Sequence, residues 1–176
     1  NLCKALANEG MENPFPIQAA TLPEAIGGRD VLGKGQTGSG KTLAFGLTVL
    51  TRLAFQKADS GSPLALILAP TRELAAQVEE SLRGYAKYTN LRTTVIFGGM
   101  NMDPQTAALR RGVEVLVATP GRLLDHLGQR TVALPQAEIL VLDEADRMLD
   151  MGFLPDIQRI INALPAKRQN LMFSAT

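Results

Sequence analysis

The sequence predicts a doubly wound α/β domain, a mostly parallel sheet with helices on both faces. Three observations carry this. Short runs of Val, Ile and Leu alternate along the chain with longer amphipathic stretches. Most of the runs lack strict polar alternation, which marks strands covered on both faces. A glycine-rich segment lies between the first run and a helical stretch, beyond a strand's carboxyl end, where such sheets bind ligands.

The elements follow in order. Leu2, Ala5 and Leu6 fall at helical spacing, so the chain is expected to start inside a helix. Val31-Leu32 is the first strand, and a helix follows over about 41–55. Lys57 to Pro63 is small and polar and reads as a flexible surface loop. Leu64 to Ala69 is the second strand; after it, a helix over about 72–88 places Leu74, Val78, Leu82 and Tyr85 on one face. Strands at Thr94 to Phe97, Val113 to Ala118, Ile139 to Leu142 and Asn170 to Phe173 alternate with helices over about 104–111, 121–128 and 153–164. Right-handed crossovers are expected throughout.

Composition bounds the rest. The 176 residues, 45% hydrophobic and 20% charged, make one soluble domain over 1–176. A net charge of +1 does not announce a nucleic-acid binder, and local patches can still act alone. One cysteine, Cys3, excludes an internal disulfide and a four-cysteine zinc site. One histidine, His126, excludes mechanisms that need two. The longest purely apolar run, Leu64 to Ala69, is far too short to span a bilayer. No basic segment leads into an apolar core at the start, so a cytoplasmic location is expected. The two ends read as those of a piece cut from a longer protein.

Gly35-Gln36-Thr37-Gly38-Ser39-Gly40-Lys41-Thr42 fits G-x-x-x-x-G-K-[ST] between a strand and a helix. Glycines let backbone N–H groups turn toward phosphate oxygens, and the helix N-terminus adds its positive end. Lys41 supplies a mobile cation for the β- and γ-phosphates, and Thr42 a hydroxyl for Mg²⁺. Asp143-Glu144-Ala145-Asp146 follows the apolar run Ile139 to Leu142. A strand thus delivers carboxylates to the edge where the phosphate loop belongs. Asp143 is assigned to the metal, directly or through water, and Glu144 to the attacking water as general base. A solvated acidic turn at a helix start is the plain alternative.

With these motifs the chain resembles the N-terminal RecA-like domain of a DEAD-box RNA helicase, a P-loop NTPase fold. Pro14-Phe15-Pro16-Ile17-Gln18 resembles the family's glutamine motif. Pro70-Thr71-Arg72-Glu73-Leu74-Ala75, Gly98-Gly99 and Thr119-Pro120-Gly121-Arg122 resemble its RNA-contacting motifs. Asp143 to Asp146 spell its tetrad, and Ser174-Ala175-Thr176 the motif that closes the domain. Leu142 to Phe153 and Leu164 to Thr176 are similar to the bacterial RhlE-type branch.

The resemblance implies ATP and Mg²⁺ as cofactors and RNA as a partner held through its backbone. It also implies a second RecA-like domain of the same chain, with ribonucleoprotein, RNA-decay or ribosome-assembly partners as the class around it. A glutamine amide at Gln18 can pair with the N6 and N7 edge of adenine. The forks of Arg72 and Arg122 suit phosphate oxygens. Backbone N–H groups at Gly98, Gly99 and Gly121, with Pro70, Thr71, Thr119 and Pro120, would position RNA without reading its sequence. The hydroxyls of Ser174 and Thr176 could bond Asp146 and couple the two motifs. Alone, the domain should bind nucleotide and unwind nothing. Departures from the family are Gly35 for Ala, Met11 for an aromatic after Gly10, and Phe15 for Thr or Ser. Rival readings are a non-catalytic nucleotide- or RNA-binding scaffold and another P-loop ATPase. His126 reads as a bland helix histidine, Cys3 as inert, and Met148 and Met151 as packing. Arg110-Arg111 and Lys167-Arg168 read as solvated faces.

Overall fold

In the middle of the sheet, each apolar run becomes a strand whose alternate residues enter two different cores. The computed structural model describes residues 2–8, 13–35 and 40–176. Within them, β1 (Val31–Lys34), β2 (Ala65–Leu68), β3 (Thr93–Ile96), β4 (Val115–Ala118), β5 (Ile139–Leu142) and β6 (Gln169–Ser174) form one sheet, ordered β1-β6-β5-β2-β4-β3. Every pairing is parallel. In β2, Ala65 and Ile67 enter one core while Leu66 and Leu68 enter the other. β5 repeats this with Ile139 and Val141 against Leu140 and Leu142. A strand covered on both faces has no solvent-facing position, so its sequence is apolar throughout.

Helices α1 (Leu2–Asn8), α2 (Pro16–Ile26), α3 (Lys41–Arg52) and α4 (Arg72–Ala86) cover the first core. Helices α5 (Met102–Arg111), α6 (Pro120–Gly128), α7 (Ala145–Asp150) and α8 (Leu154–Ala163) cover the second. Two of them have no counterpart in the sequence expectation. The buried face of α2 is Ile17, Gln18, Thr21 and Ala25, so half of it is polar and no apolar stripe shows. Pro23 inside the helix hides it further. α7 has only six residues, too few to show a period. On α4 the expected face holds: Val78 and Leu82 are buried, and Leu74 and Tyr85 pack partly buried beside them. Met148 is buried as expected, but Met151 is 45% exposed. No helix among the described residues is long and apolar enough to cross a membrane.

Lys57 to Pro63 is not the flexible loop its composition suggests. Ala58 and Pro63 are buried. The Gly61 N–H donates to the Leu109 carbonyl at 3.0 Å, and Asp59 forms a bridge with Ser62. The anchor is Glu114, 1% exposed. Its carboxylate accepts from the N–H groups of Ala58 at 2.9 Å and Arg92 at 2.7 Å, and from the Arg92 guanidinium. The anchor lies 56 residues from Ala58, so no local pattern reports it. Burial pushes the Glu114 carboxyl up, but Arg92 and the two N–H groups outweigh it and hold it below the usual carboxylate range.

A depressed carboxylate stabilises the fold fully above its unfolded value, and that contribution is lost as pH falls through the folded one. Glu114→Gln should therefore lower unfolding free energy at pH 7 by ~1.5–3 kcal/mol, the range for a hydrogen bond to a charged group. The gap to the parent chain should close below the unfolded value of 4.5, which urea titrations at several pH values will read. A second test concerns β1. A Cβ at Gly33 would stand 2.7 Å from the Phe173 ring, which is 1% exposed and packs tilted against Phe45 at 5.4 Å. Gly33→Ala should cost ~1–3 kcal/mol by overpacking, with the urea dependence of unfolding unchanged.

Candidate nucleotide and nucleic-acid site

Because the strands are parallel, their carboxyl ends share one edge, and the described residues of the motifs that follow strands lie there. Strand order divides them. β1, β6 and β5 carry the phosphate-loop segment, Ser174 to Thr176 and the acidic tetrad. β2, β4 and β3 carry Pro70 to Arg72, Thr119 to Arg122 and Gly98-Gly99. The second motif set is one block of the chain inserted within the first, and the strand order separates the two into halves of one edge.

In the first half, Gly40 opens α3 at φ +87°, a conformation that favours glycine. A Cβ there would also fall 2.4 Å from Gln18 Nε2. Lys41 is the first residue of α3 and is buried, and Thr42 is half-buried. Gln36, Thr37, Gly38 and Ser39 lie outside the described residues. Gln18 is 3% exposed. Its Nε2 donates to the Gly40 carbonyl at 3.3 Å and its Oε1 accepts from the Phe15 N–H at 3.0 Å. The amide therefore caps α2 and braces the start of α3. Gly40, Lys41, Thr42 and Gln18 line a cleft of about 300 Å³ together with Asp143 and Glu144. Phe15, Leu74, Ser81 and Tyr85 complete its wall. Leu74 and Tyr85 were legible as an inward face of α4, but not as cleft wall, because the sequence does not say which helix stands next to α3.

Asp143 is 3% exposed at the end of β5. Burial, then the Glu144 charge, pushes its carboxyl up to about 6; Lys41 and a backbone N–H only partly oppose this. The carboxylate is under-compensated and would be relieved by further positive charge. Glu144 sits at φ 52°, ψ 51°, a left-handed conformation that strains a non-glycine residue. Its carboxylate lies 3.7 Å from Arg147 Nη1. The Thr176 hydroxyl donates to Asp146 Oδ2 at 2.9 Å. This bond, with backbone N–H groups and Ser174 adding less, holds Asp146 below the usual carboxylate range. The closest bonds of Ser174 Oγ go to the Thr176 backbone, at 3.2 and 3.3 Å.

In the second half, Thr71 caps α4 by accepting from the Leu74 N–H at 3.2 Å, which leaves Arg72 exposed. Arg72 Nε donates to Glu73 at 3.3 Å. Gly99 turns at φ +81°, and a Cβ there would stand 2.9 Å from Arg72 Nη1, so these two motifs meet. Pro70 and Pro120 are buried, and Thr119 is tied to β3 through its N–H to the Ile96 carbonyl at 3.2 Å. Gly98 and Gly121 have nothing within 4 Å of where a Cβ would be, so their backbones face open space. Arg122 departs from the expected free fork. Its side chain is 11% exposed, and its Nη1 donates to the Met100 carbonyl at 2.9 Å and to Gln105 Oε1 at 3.2 Å. His126, expected to be bland, is fully buried and bonds Thr131 Oγ1 at 2.7 Å and Gln105 Oε1 at 3.1 Å. Sequence reasoning missed Gln105; its only signal is a polar residue beside Leu109 on the buried side of α5.

The model of the DEAD/DEAH box helicase family matches residues 15–176, so the chain belongs to that family. It is 48% identical to "DEAD-box ATP-dependent RNA helicase 30" of Arabidopsis thaliana, over 100% of this chain and 30% of that protein. It is 46% identical to "Probable ATP-dependent RNA helicase ddx27" of Dictyostelium discoideum, over 99% of this chain and 22% of the other. It is 45% identical to "ATP-dependent RNA helicase CshA" of Listeria monocytogenes, over 99% of this chain and 33% of the other. The chain spans a third or less of the length of these relatives.

The Asp146–Thr176 bond is open to direct measurement. Thr176→Val removes the donor, so the Asp146 carboxyl should titrate at a higher pH than in the parent chain. Carboxyl-detected NMR titration reads the difference; coincident curves would show that the bond does not form in solution.

Proposed function

We propose that this chain is the N-terminal RecA-like, ATP-binding domain of an ATP-dependent RNA helicase. The observation that carries the reading is the convergence of buried Lys41, half-buried Thr42 and buried Asp143 in one cleft, beside an edge of backbone-rich turns. Lys41 and the N-terminus of α3 would hold phosphates, and Gln18 would exchange its bond to Gly40 for the adenine edge. Gln36, Thr37, Gly38, Ser39 and Gly40 would contribute backbone N–H groups. Thr42 and Asp143 are the residues that would hold Mg²⁺, whose charge would offset that of Asp143. No group of three or more His, Cys, Asp or Glu side chains suited to a metal occurs among the described residues. The ion would therefore take its remaining ligands from phosphate and water. Bound ATP would supply the phosphoanhydride; Glu144 would orient water toward the γ-phosphorus and accept its proton as the new P–O bond forms, the β–γ bridge breaks and ADP leaves with phosphate.

RNA would lie along Pro70, Thr71, Arg72, Gly98, Gly99, Thr119, Pro120 and Gly121, contacted through its phosphates and 2′-hydroxyls. Arg122 would support this edge from beneath. Asp146, Ser174 and Thr176 would couple the two halves through the Thr176 bond to Asp146, which follows β5, the strand that borders the second half. A second RecA-like domain of the same chain would complete the cleft, so hydrolysis would depend on RNA closing it. Membership of the RhlE-type branch, a cytoplasmic location and ribonucleoprotein partners belong to the same proposal. The branch rests on Leu142 to Phe153 and Leu164 to Thr176 alone.

Nucleotide titration of this chain should show Mg²⁺-dependent ATP and ADP binding with no duplex unwinding. Lys41→Ala should weaken binding roughly 10- to 100-fold, the range for removing one charge-assisted hydrogen bond. In the full-length protein Glu144→Gln should keep nucleotide affinity and lower RNA-stimulated phosphate release by ~10²–10⁴-fold. Equal stimulation by DNA would favour a different P-loop ATPase, and absence of any hydrolysis would favour a scaffold.

A further inference from the structure

Two carbonyls flank the Gly98-Gly99 turn, and both are pinned by side chains. On one shoulder, Gln105 Nε2 donates to the Phe97 carbonyl at 3.0 Å. On the other, Arg122 Nη1 donates to the Met100 carbonyl at 2.9 Å. The two pins are joined, because the same Arg122 Nη1 also donates to Gln105 Oε1 at 3.2 Å. His126 Nε2 meets that Oε1 at 3.1 Å. Gln105 thus ties α5 to α6 and to the loop after β3.

An amide oxygen only accepts, so His126 carries a proton on Nε2 and donates it to Gln105 Oε1. Its Nδ1 shares a bond with the Thr131 hydroxyl, which also lies 3.1 Å from the His126 carbonyl. The Gln105 oxygen then receives two donors while its nitrogen faces a carbonyl, so a flipped amide would lose all three bonds. Gln105 is 9% exposed and His126 fully buried, so water cannot replace these partners. Arg122 Nε is buried without a hydrogen-bond partner and lies 3.5 Å from Asp125. The guanidinium is committed to the interior at that cost. A solvent-facing phosphate fork would not be built this way.

We propose that Gln105 is the positioning residue of the nucleic-acid edge. Through the Phe97 carbonyl and Arg122 it sets the spacing between the Gly98-Gly99 turn and the Thr119 to Gly121 turn. That spacing fixes where two sets of backbone N–H groups meet successive phosphates. Arg122 acts through the Met100 carbonyl, as a brace behind the turn. The inference rests on the reading of this edge as an RNA-binding surface.

The test uses the full-length protein and single-stranded RNA. Gln105→Leu keeps the bulk and removes the three bonds. It should raise the RNA KM of ATP hydrolysis about tenfold and leave kcat at saturating RNA and RNA-free ATP affinity unchanged. The slope of log K against log salt should shallow by about 0.7 for each single-strand phosphate the protein no longer neutralises. Gln105→Glu keeps acceptors for Arg122 and His126 but loses the donor to Phe97. It should give an intermediate KM in a folded protein, at some cost in melting temperature from the unpaired Phe97 carbonyl, and it decides the matter where the Leu variant does not fold. Unchanged RNA KM and salt slope in both folded variants would overturn the proposal. So would a loss of melting temperature and ATP affinity without a change in salt slope, which marks a purely structural role. A parent protein that RNA neither binds nor stimulates would instead overturn the helicase reading, and this proposal with it.

Discussion

Parallel pairing of every strand is the constraint on which the rest depends. It forces each connection to return across a face of the sheet, which supplies the helices and the two cores. It also gathers all carboxyl ends on one edge. A site assembled from six loops needs no other device to bring Lys41, Asp143, Gly99, Thr119 and Thr176 to the same side. Crossover order then decides which loops are neighbours. β5 lies between β6 and β2, so the acidic tetrad stands at the boundary between the two halves of the edge. The bond from Thr176 to Asp146 is a direct consequence of β5 lying against β6.

The edge is held by bonds whose purpose is geometry. Gln18 braces the start of α3, Thr71 caps α4, and Gln105 with Arg122 grips the double-glycine turn on both shoulders. Against this rigid frame the cleft is kept out of electrostatic balance. Asp143 is buried beside a second carboxylate, with Lys41 only partly compensating, and Glu144 is held in a strained backbone conformation. Strain and uncompensated charge persist only where the surrounding packing over-determines them.

The strands and long helices were legible because covering both faces of a sheet, or one face of a helix, writes a pattern of apolar residues into the chain. α2 escaped because half its buried face is Gln18 and Thr21, polar groups bonded inside the fold. The Lys57 to Pro63 segment was misread for the same reason in reverse. Its residues look like a free loop, yet Glu114 pins it from far along the chain. His126 carries no sequence signal of its partners, and Gln105 only that of a polar residue on the buried side of α5. A buried polar residue looks the same as an exposed one until its partners are known.

The fold class, the glycine-rich segment before α3, the acidic tetrad and the residues at the strand ends were legible in the chain. These depend on local chemistry: periodicity, glycine at a turn, a lysine and a hydroxyl at a helix start. Only the tertiary structure decided the strand order, the division of the edge into two halves, the inward turn of Arg122 and the clamp built by Gln105. Those depend on groups brought together from distant parts of the chain, and hydrogen bonds between such groups have no spacing rule for a sequence to display.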